Sequence, residues 1–190
     1  MAPKPTPTVA ISTADRAGPR PIRARYENWR PPIAAVTLLV PVGTDLLLTE
    51  LCGDLLLPSG PVRDGQTPEQ AAQQVLLRSP SSLPVHRQVA VDWSQTRRRQ
   101  VFTHIVATYP LTHADAAFLT YRDGRAALRA LPVSHAVAAL PELARARVLA
   151  GLMALAAHEV VYLKAGVISR NERASRSARA HCSLRRRDRM

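Results

Sequence analysis

Leu55–Ser79 reads LLLPSGPVRDGQTPEQAAQQVLLRS. An apolar strand, Leu55 to Leu57, runs into Pro58 and a loop that carries Gly60 and Gly65. A helix is predicted directly after the loop. Thr67 is placed to cap it, and Pro68 at the first helical position has no N–H to leave unsatisfied. Gln70, three residues after the cap, is placed to reach back and complete a capping box. Ala71, Ala72, Val75 and Leu76 then fall at helical spacing, and Pro80 is expected to end the helix. A strand, a Gly-bearing loop and a helix N-terminus turn backbone N–H groups toward an anion. That is the outline of a diphosphate site, yet the stretch lacks the run of carboxylates that would hold a metal there.

The flanking sequence sets this stretch in an α/β pattern. Ile33 to Val40 is an apolar, partly β-branched run that reads as a buried strand. Pro41, Gly43 and Asp45 give a turn signal, and Leu46 to Leu51 is a second strand, so a hairpin is expected. Val85 to Trp93 and Gln100 to Tyr109 read as further strands, joined by a connection that holds Arg97, Arg98 and Arg99. Tyr121-Arg-Asp-Gly124 is a turn. Helices are predicted over His135–Ala139 and from Glu142 to about Lys164, the second with Val148, Leu152, Leu155, Val160 and Leu163 on its apolar face. Together these predict an α/β/α sandwich with a mixed β-sheet and helices on both of its faces. The expected organisation is a flexible Pro/Arg-rich leader over residues 1–29, one domain over 30–168 and a basic, disordered tail over 169–190.

The segment over residues 60–82 resembles a Nudix box, whose pattern opens with a Gly, five residues, a Glu, seven residues, then Arg-Glu-aliphatic-any-Glu-Glu-any-Gly. Gly60 takes the first Gly, Gly65 the usual Gly before the Glu, and Thr67-Pro-Glu-Gln-Ala71 the usual helix start. The order of strands and helices over residues 30–165 is also similar to that of a Nudix domain. The resemblance implies hydrolysis of a diphosphate, with box carboxylates holding Mg²⁺ or Mn²⁺, since a hard cation takes anionic oxygen ligands. Here Gln66 stands for the first Glu, Gln74-Val75 for the Arg-Glu pair, Arg78-Ser79 for the Glu-Glu pair and Ser81 for the last Gly. On a continuous helix, positions 75, 78 and 79 would share one face, and that face would offer no carboxylate.

These departures lead to an expected Nudix-family protein with absent or weak pyrophosphohydrolase activity, one that binds a nucleotide-like or phosphorylated ligand or a protein partner. Guanidinium matches phosphate oxygens bidentately, so Arg63 and Arg78 are candidates to replace a metal. The full candidate set for the ligand is Ser59, Gly60, Arg63, Gly65, Gln66 and Arg78. No cofactor is expected. Mg²⁺ or Mn²⁺ would enter only in an alternative, an active hydrolase of nucleoside-diphosphate-linked compounds with metal ligands from outside the box.

The chain has 190 residues and a formal net charge of +12, with a pI near 11.2. Such a balance suits an anionic partner. A further alternative is therefore nonspecific nucleic-acid association through Arg97, Arg98, Arg99, Arg185, Arg186 and Arg187, with the strong salt dependence of phosphate contacts. Other constellations carry less. His158-Glu159 begins a zinc-helix pattern, but Tyr162 stands where the second His belongs. His86, His104, His113 and His135 have no ligand spacing and are assigned to ordinary surface, strand or loop positions. Trp29 and Trp93 are expected to pack at the edge of the core. Cys52 and Cys182 form no metal or redox spacing. The N-terminus has no signal-like apolar stretch, and the longest apolar run, Val148 to Ala157, is too short to span a bilayer. A cytoplasmic protein with no membrane association is expected.

Overall fold

The computed structural model describes residues 31–78, 82–97 and 99–169. The expected leader and, apart from Ser169, the expected tail lie outside them. Strand β1 (Ile33–Leu39) leads to a short hairpin of β2 (Pro41–Val42) and β3 (Asp45–Leu51), followed by β4 (Asp54–Leu56) and β5 (Ser59–Pro61). Helix α1 (Pro68–Gln73) and strand β6 (Leu76–Arg78) come next, then the long pair β7 (Val85–Gln95) and β8 (Gln100–Thr108). Helix α2 (His113–Ala117), strands β9 (Leu119–Tyr121) and β10 (Ala127–Pro132), helices α3 (Val133–Ala139) and α4 (Glu142–Ala157), and strands β11 (Val161–Lys164) and β12 (Val167–Ile168) complete the order.

Six strands form the main sheet in the order β12-β11-β7-β8-β1-β5. It is mixed: β1 runs parallel to β8 and β11 parallel to β7, while the other pairs are antiparallel. Parallel strands are usually covered on both faces and read as continuous apolar runs, which is why β1 shows little alternation. One face packs Ala90, Ile105, Val161 and Leu163 against Val148 and Ala154 of α4. The other packs Val36, Leu38 and Val106 against Ala71, Ala72 and Val75, in and just after α1. The expected α/β/α sandwich is thus the observed one. A smaller sheet, β10-β3-β2 with β4 beside β3, and the β6–β9 ladder flank it. Among the described residues no helix is long and apolar enough to cross a membrane.

Two helices are shorter than the sequence predicts. Helix α1 keeps its start, with Thr67 and Gln70 forming both bonds of the capping box, but it stops at Gln73. Leu76–Arg78 instead extends and pairs with Leu119–Tyr121, which buries Leu76 completely. Tertiary pairing overrides the helical spacing of Val75 and Leu76. Helix α4 ends at Ala157, where His158 adopts a left-handed φ of 54°. Arg87 satisfies the end of this helix, its guanidinium donating to the carbonyl oxygens of Ala154 at 2.8 Å and Glu159 at 2.9 Å. Residues 161–164 then alternate buried and outward as β11, a period of two that excludes helix. Val160 and Leu163 therefore do not belong to the helical face.

Candidate functional site

The site is built on the loop from Ser59 to Gln66. The sheet fixes its start: Gly60 pairs with Val36 and Ser59 with Thr37. The Ser59 hydroxyl donates to the Leu57 carbonyl at 2.8 Å, and the Tyr121 hydroxyl donates to the Ser59 carbonyl at 2.8 Å. Gln66 closes the far side, its side-chain oxygen accepting from the Arg63 N–H at 3.1 Å while its own N–H donates to the Arg63 carbonyl at 3.0 Å. Gly65 lies within this turn at φ +77°, a conformation that L side chains rarely adopt.

This loop walls an open cleft of about 890 Å³. Ser59, Gly60, Arg63, Gly65 and Gln66 all line it, as does the exposed Asp64. A second recess of about 200 Å³ adjoins, lined by Gly60, Arg63, Ala71, Gln74, Val75 and Arg122. Arg63 and Arg122 border both spaces. A Cβ placed on Gly60 would lie 3.0 Å from Val75 Cγ2 and 3.4 Å from Arg122 Nη1, so the missing side chain lets the guanidinium settle over the loop. Among the described residues neither Arg63 nor Arg122 forms a salt bridge, although Asp123 lies close enough to Arg122 to feel its charge.

Arg78 does not join them. It sits on β6 rather than on a helix and is bound to Asp115, Nη2 to Oδ1 at 2.5 Å. Asp115 also accepts from Thr112, whose side-chain and backbone hydrogen bonds, aided by the Arg78 charge, hold its carboxyl below the usual range. Arg78 is thus a link between β6 and α2 and does not line the cleft, unlike the other five residues of the expected ligand set. Arg97 and Arg99 flank the β7–β8 turn and do not line the cleft, while Arg98, Arg185, Arg186 and Arg187 lie outside the described residues.

Three cleft residues escape sequence reasoning: His104, Tyr121 and Arg122. Arg122 lies within a segment that reads only as a turn, and no spacing ties it to Gly60. The β6–β9 ladder makes the connection, with Leu76 opposite Tyr121. His104 is a strand residue whose Nδ1 lies 2.7 Å from Gln88 Oε1. An amide oxygen only accepts, so Nδ1 carries the hydrogen and Nε2 is left as an acceptor. Burial lowers the His104 pKa below 6.5, opposed by the charge of Glu69. The imidazole in the cleft wall is therefore neutral at pH 7.

The described residues around the cleft do not fit a catalytic divalent cation. Among the described residues no three His, Cys, Asp or Glu side chains gather to hold a metal ion. The recess beside α1 is walled by two guanidiniums, a Gln and a buried Val, whereas Mg²⁺ requires several oxygen ligands.

A scan against protein-family models gives no match, and a search of curated proteins gives none either. Solved structures do match. The E. coli ORF135 protein is 16% identical over 70% of this chain and 95% of its own, at a TM-score of 0.51. A MutT protein from Methanosarcina mazei is 12% identical over 65% and 95%, at 0.53. An Ap4A hydrolase from C. elegans is 12% identical over 66% and 98%, at 0.50. The chain has the Nudix fold.

Proposed function

We propose that this Nudix-fold chain is a binding protein that holds a phosphorylated small molecule without a metal, between the Ser59–Gln66 loop and the guanidiniums of Arg63 and Arg122. One observation carries this reading. The cleft brings together two arginines with no salt bridge among the described residues, while the box positions Gln66, Val75 and Arg78 hold an amide bonded to its own loop, a buried apolar side chain and an ion-paired cation. Guanidinium supplies paired donors in a plane that matches phosphate oxygens. Neutral His104 leaves Nε2 as an acceptor for an N–H or O–H on the ligand.

Calorimetric titration with ADP in EDTA tests the proposal. Hydrogen bonds to charged groups contribute about 1.5–3 kcal/mol each. The Arg63→Ala/Arg122→Ala double variant should therefore weaken ADP at least tenfold, and added Mg²⁺ should not tighten it. No binding to the wild-type chain at millimolar ADP ends the idea. Mg²⁺-dependent release of phosphate from nucleoside diphosphate derivatives, at a rate that survives loss of both arginines, would replace it with the hydrolase reading.

A further inference from the structure

A second surface lies at the open end of the main sheet. Trp93 and Phe102 face each other across β7 and β8, and both are exposed, at 37% and 36%. The register extends this pair into a row: Lys164 is opposite Trp93 on one side, and Ala34 is opposite Phe102 on the other. At about 4.8 Å between strands, the row Lys164–Trp93–Phe102–Ala34 spans roughly 14 Å. Side chains two apart on a strand share a face, so Phe102 lies on the same face as His104, and Ala34 itself lines the cleft. Helix α1 is too short to cover this end. The Lys164 ammonium sits 5.0 Å from the Trp93 ring centroid, a cation–π contact that keeps a charge beside the rings.

The outer end of the row is cationic, while Asp64 lines the cleft with Ala34 at the other end and the charge of Glu69 reaches His104. Thr96 closes the β7–β8 turn, its hydroxyl donating to the Arg99 carbonyl at 2.9 Å and accepting from the Arg99 N–H at 3.1 Å. The turn therefore presents Arg97 and Arg99 just beyond the aromatic pair. Residues 85–108 contain a single carboxylate, Asp92. It is fully buried and bound to Arg147 of α4 on the opposite face.

The chain as a whole suits an anionic partner. The described residues hold eleven Lys and Arg against ten Asp and Glu. Residues 1–30 hold six against two, and residues 170–190 hold eight against two. The net charge of +12 thus belongs almost wholly to the two ends.

We propose that this row is a binding platform for single-stranded nucleic acid. Trp93 and Phe102 stack unpaired bases, and Lys164, Arg97 and Arg99 contact the phosphates without reading sequence. Exposed aromatics on a sheet face take bases in this way, because every base has a stackable face and a duplex hides it.

Anisotropy of a fluorescein-labelled oligothymidylate of about twenty nucleotides, longer than common site sizes, tests this with the full chain. The Trp93→Ala/Phe102→Ala variant should bind the single strand at least tenfold more weakly. Its affinity for duplex DNA and its salt slope should match the wild type, since no phosphate contact is removed. Lys164→Gln/Arg97→Gln/Arg99→Gln should lower the salt slope for the single strand. If the aromatic variant fails to fold, a Trp29→Phe chain leaves Trp93 as the only indole, and the oligonucleotide should quench its emission. Unchanged single-strand affinity in the aromatic variant, absence of quenching, or no binding by the wild type at low salt would each overturn the platform.

Discussion

Asp92→Asn should cost about 3 kcal/mol of stability, the lower end of the range for breaking a buried ion pair. Asp92 is fully buried. Its Oδ2 accepts from Arg147 Nε at 2.8 Å and Nη2 at 2.7 Å, and its Oδ1 accepts from the Gly166 N–H at 3.1 Å. One carboxylate thus joins β7, α4 and the β11–β12 turn beneath the aromatic row. The Asn side chain keeps the volume and one acceptor oxygen but removes the charge, leaving Arg147 uncompensated. The Arg147 side chain retains 15% exposure, so water relieves part of that cost, and this selects the lower end of the range. For a chain of this size the loss corresponds to a Tm lower by roughly 6–12 °C. Urea unfolding followed by circular dichroism measures it, with an unchanged m-value showing that the native state is still compact. The Asp92→Leu/Arg147→Met double variant supplies the contrast. Removing both charges leaves no unpaired buried charge, only the half-buried Gly166 N–H without its acceptor, so it should be more stable than Asp92→Asn. An Asp92→Asn variant within about 0.5 kcal/mol of the wild type, the range of ordinary surface substitutions, or a double variant less stable than the single one, would refute the reasoning.

Gly60→Ala brings a Cβ to 3.0 Å from Val75 Cγ2 and 3.4 Å from Arg122 Nη1; ADP affinity should fall several-fold by calorimetry as Arg122 is displaced, and adding Val75→Ala should recover part of it. His104 should titrate below pH 6.5 in proton–carbon NMR, because burial lowers its pKa against the opposing charge of Glu69. The folded value lies below the unfolded one, so the contribution to stability is present above pH 6.5 and is lost as pH falls through the folded value; His104→Gln should remove that component from the pH dependence of Tm.

The sequence signals that survived were those set by local chemistry. The capping box at Thr67 and Gln70 depends on residues three apart, and it formed as expected. The Ser59–Gln66 loop was also legible, because Pro58, Gly60 and Gly65 restrict the backbone wherever they occur. What could not be read was set by pairing across the chain. The helical spacing of Val75 and Leu76 was real but gave way to the ladder with Leu119–Tyr121. That single change moved Arg78 out of the site and brought Arg122 into it. The end of α4 was readable in principle, since Val161–Lys164 alternates with period two, but the apolar run before it masked the change. Trp93 was expected at the core edge, yet its register opposite Phe102 places it on an uncovered face. The position of charge was visible in the sequence from the start.

The same ladder decides whether the box can be rebuilt. On a continuous helix, Val75→Glu and Arg78→Glu would put carboxylates on one face, with Gln66→Glu in the loop just before it, and metal binding and turnover would be the expected gain. In this fold they do not converge. Val75 is buried to 1% exposure against Gly60, and a carboxylate there loses its hydration with Ala71 and Ala72 as apolar neighbours in the same core. A glutamate at 78 would remove the partner of Asp115 and set two carboxylates side by side. Burial of an unpaired ionisable group is among the few causes of large destabilisation, and neutralising the group by protonation removes the ligand that the substitution was meant to supply. The triple variant should therefore unfold at a markedly lower temperature and show no Mg²⁺-dependent phosphate release from ADP. Thermal unfolding by circular dichroism and a phosphate-release assay measure both. A triple variant that keeps the wild-type Tm and gains turnover would show that residues 74–78 can still adopt the helical arrangement, and the assignment of Arg122 rather than Arg78 to the cleft would then fail with it.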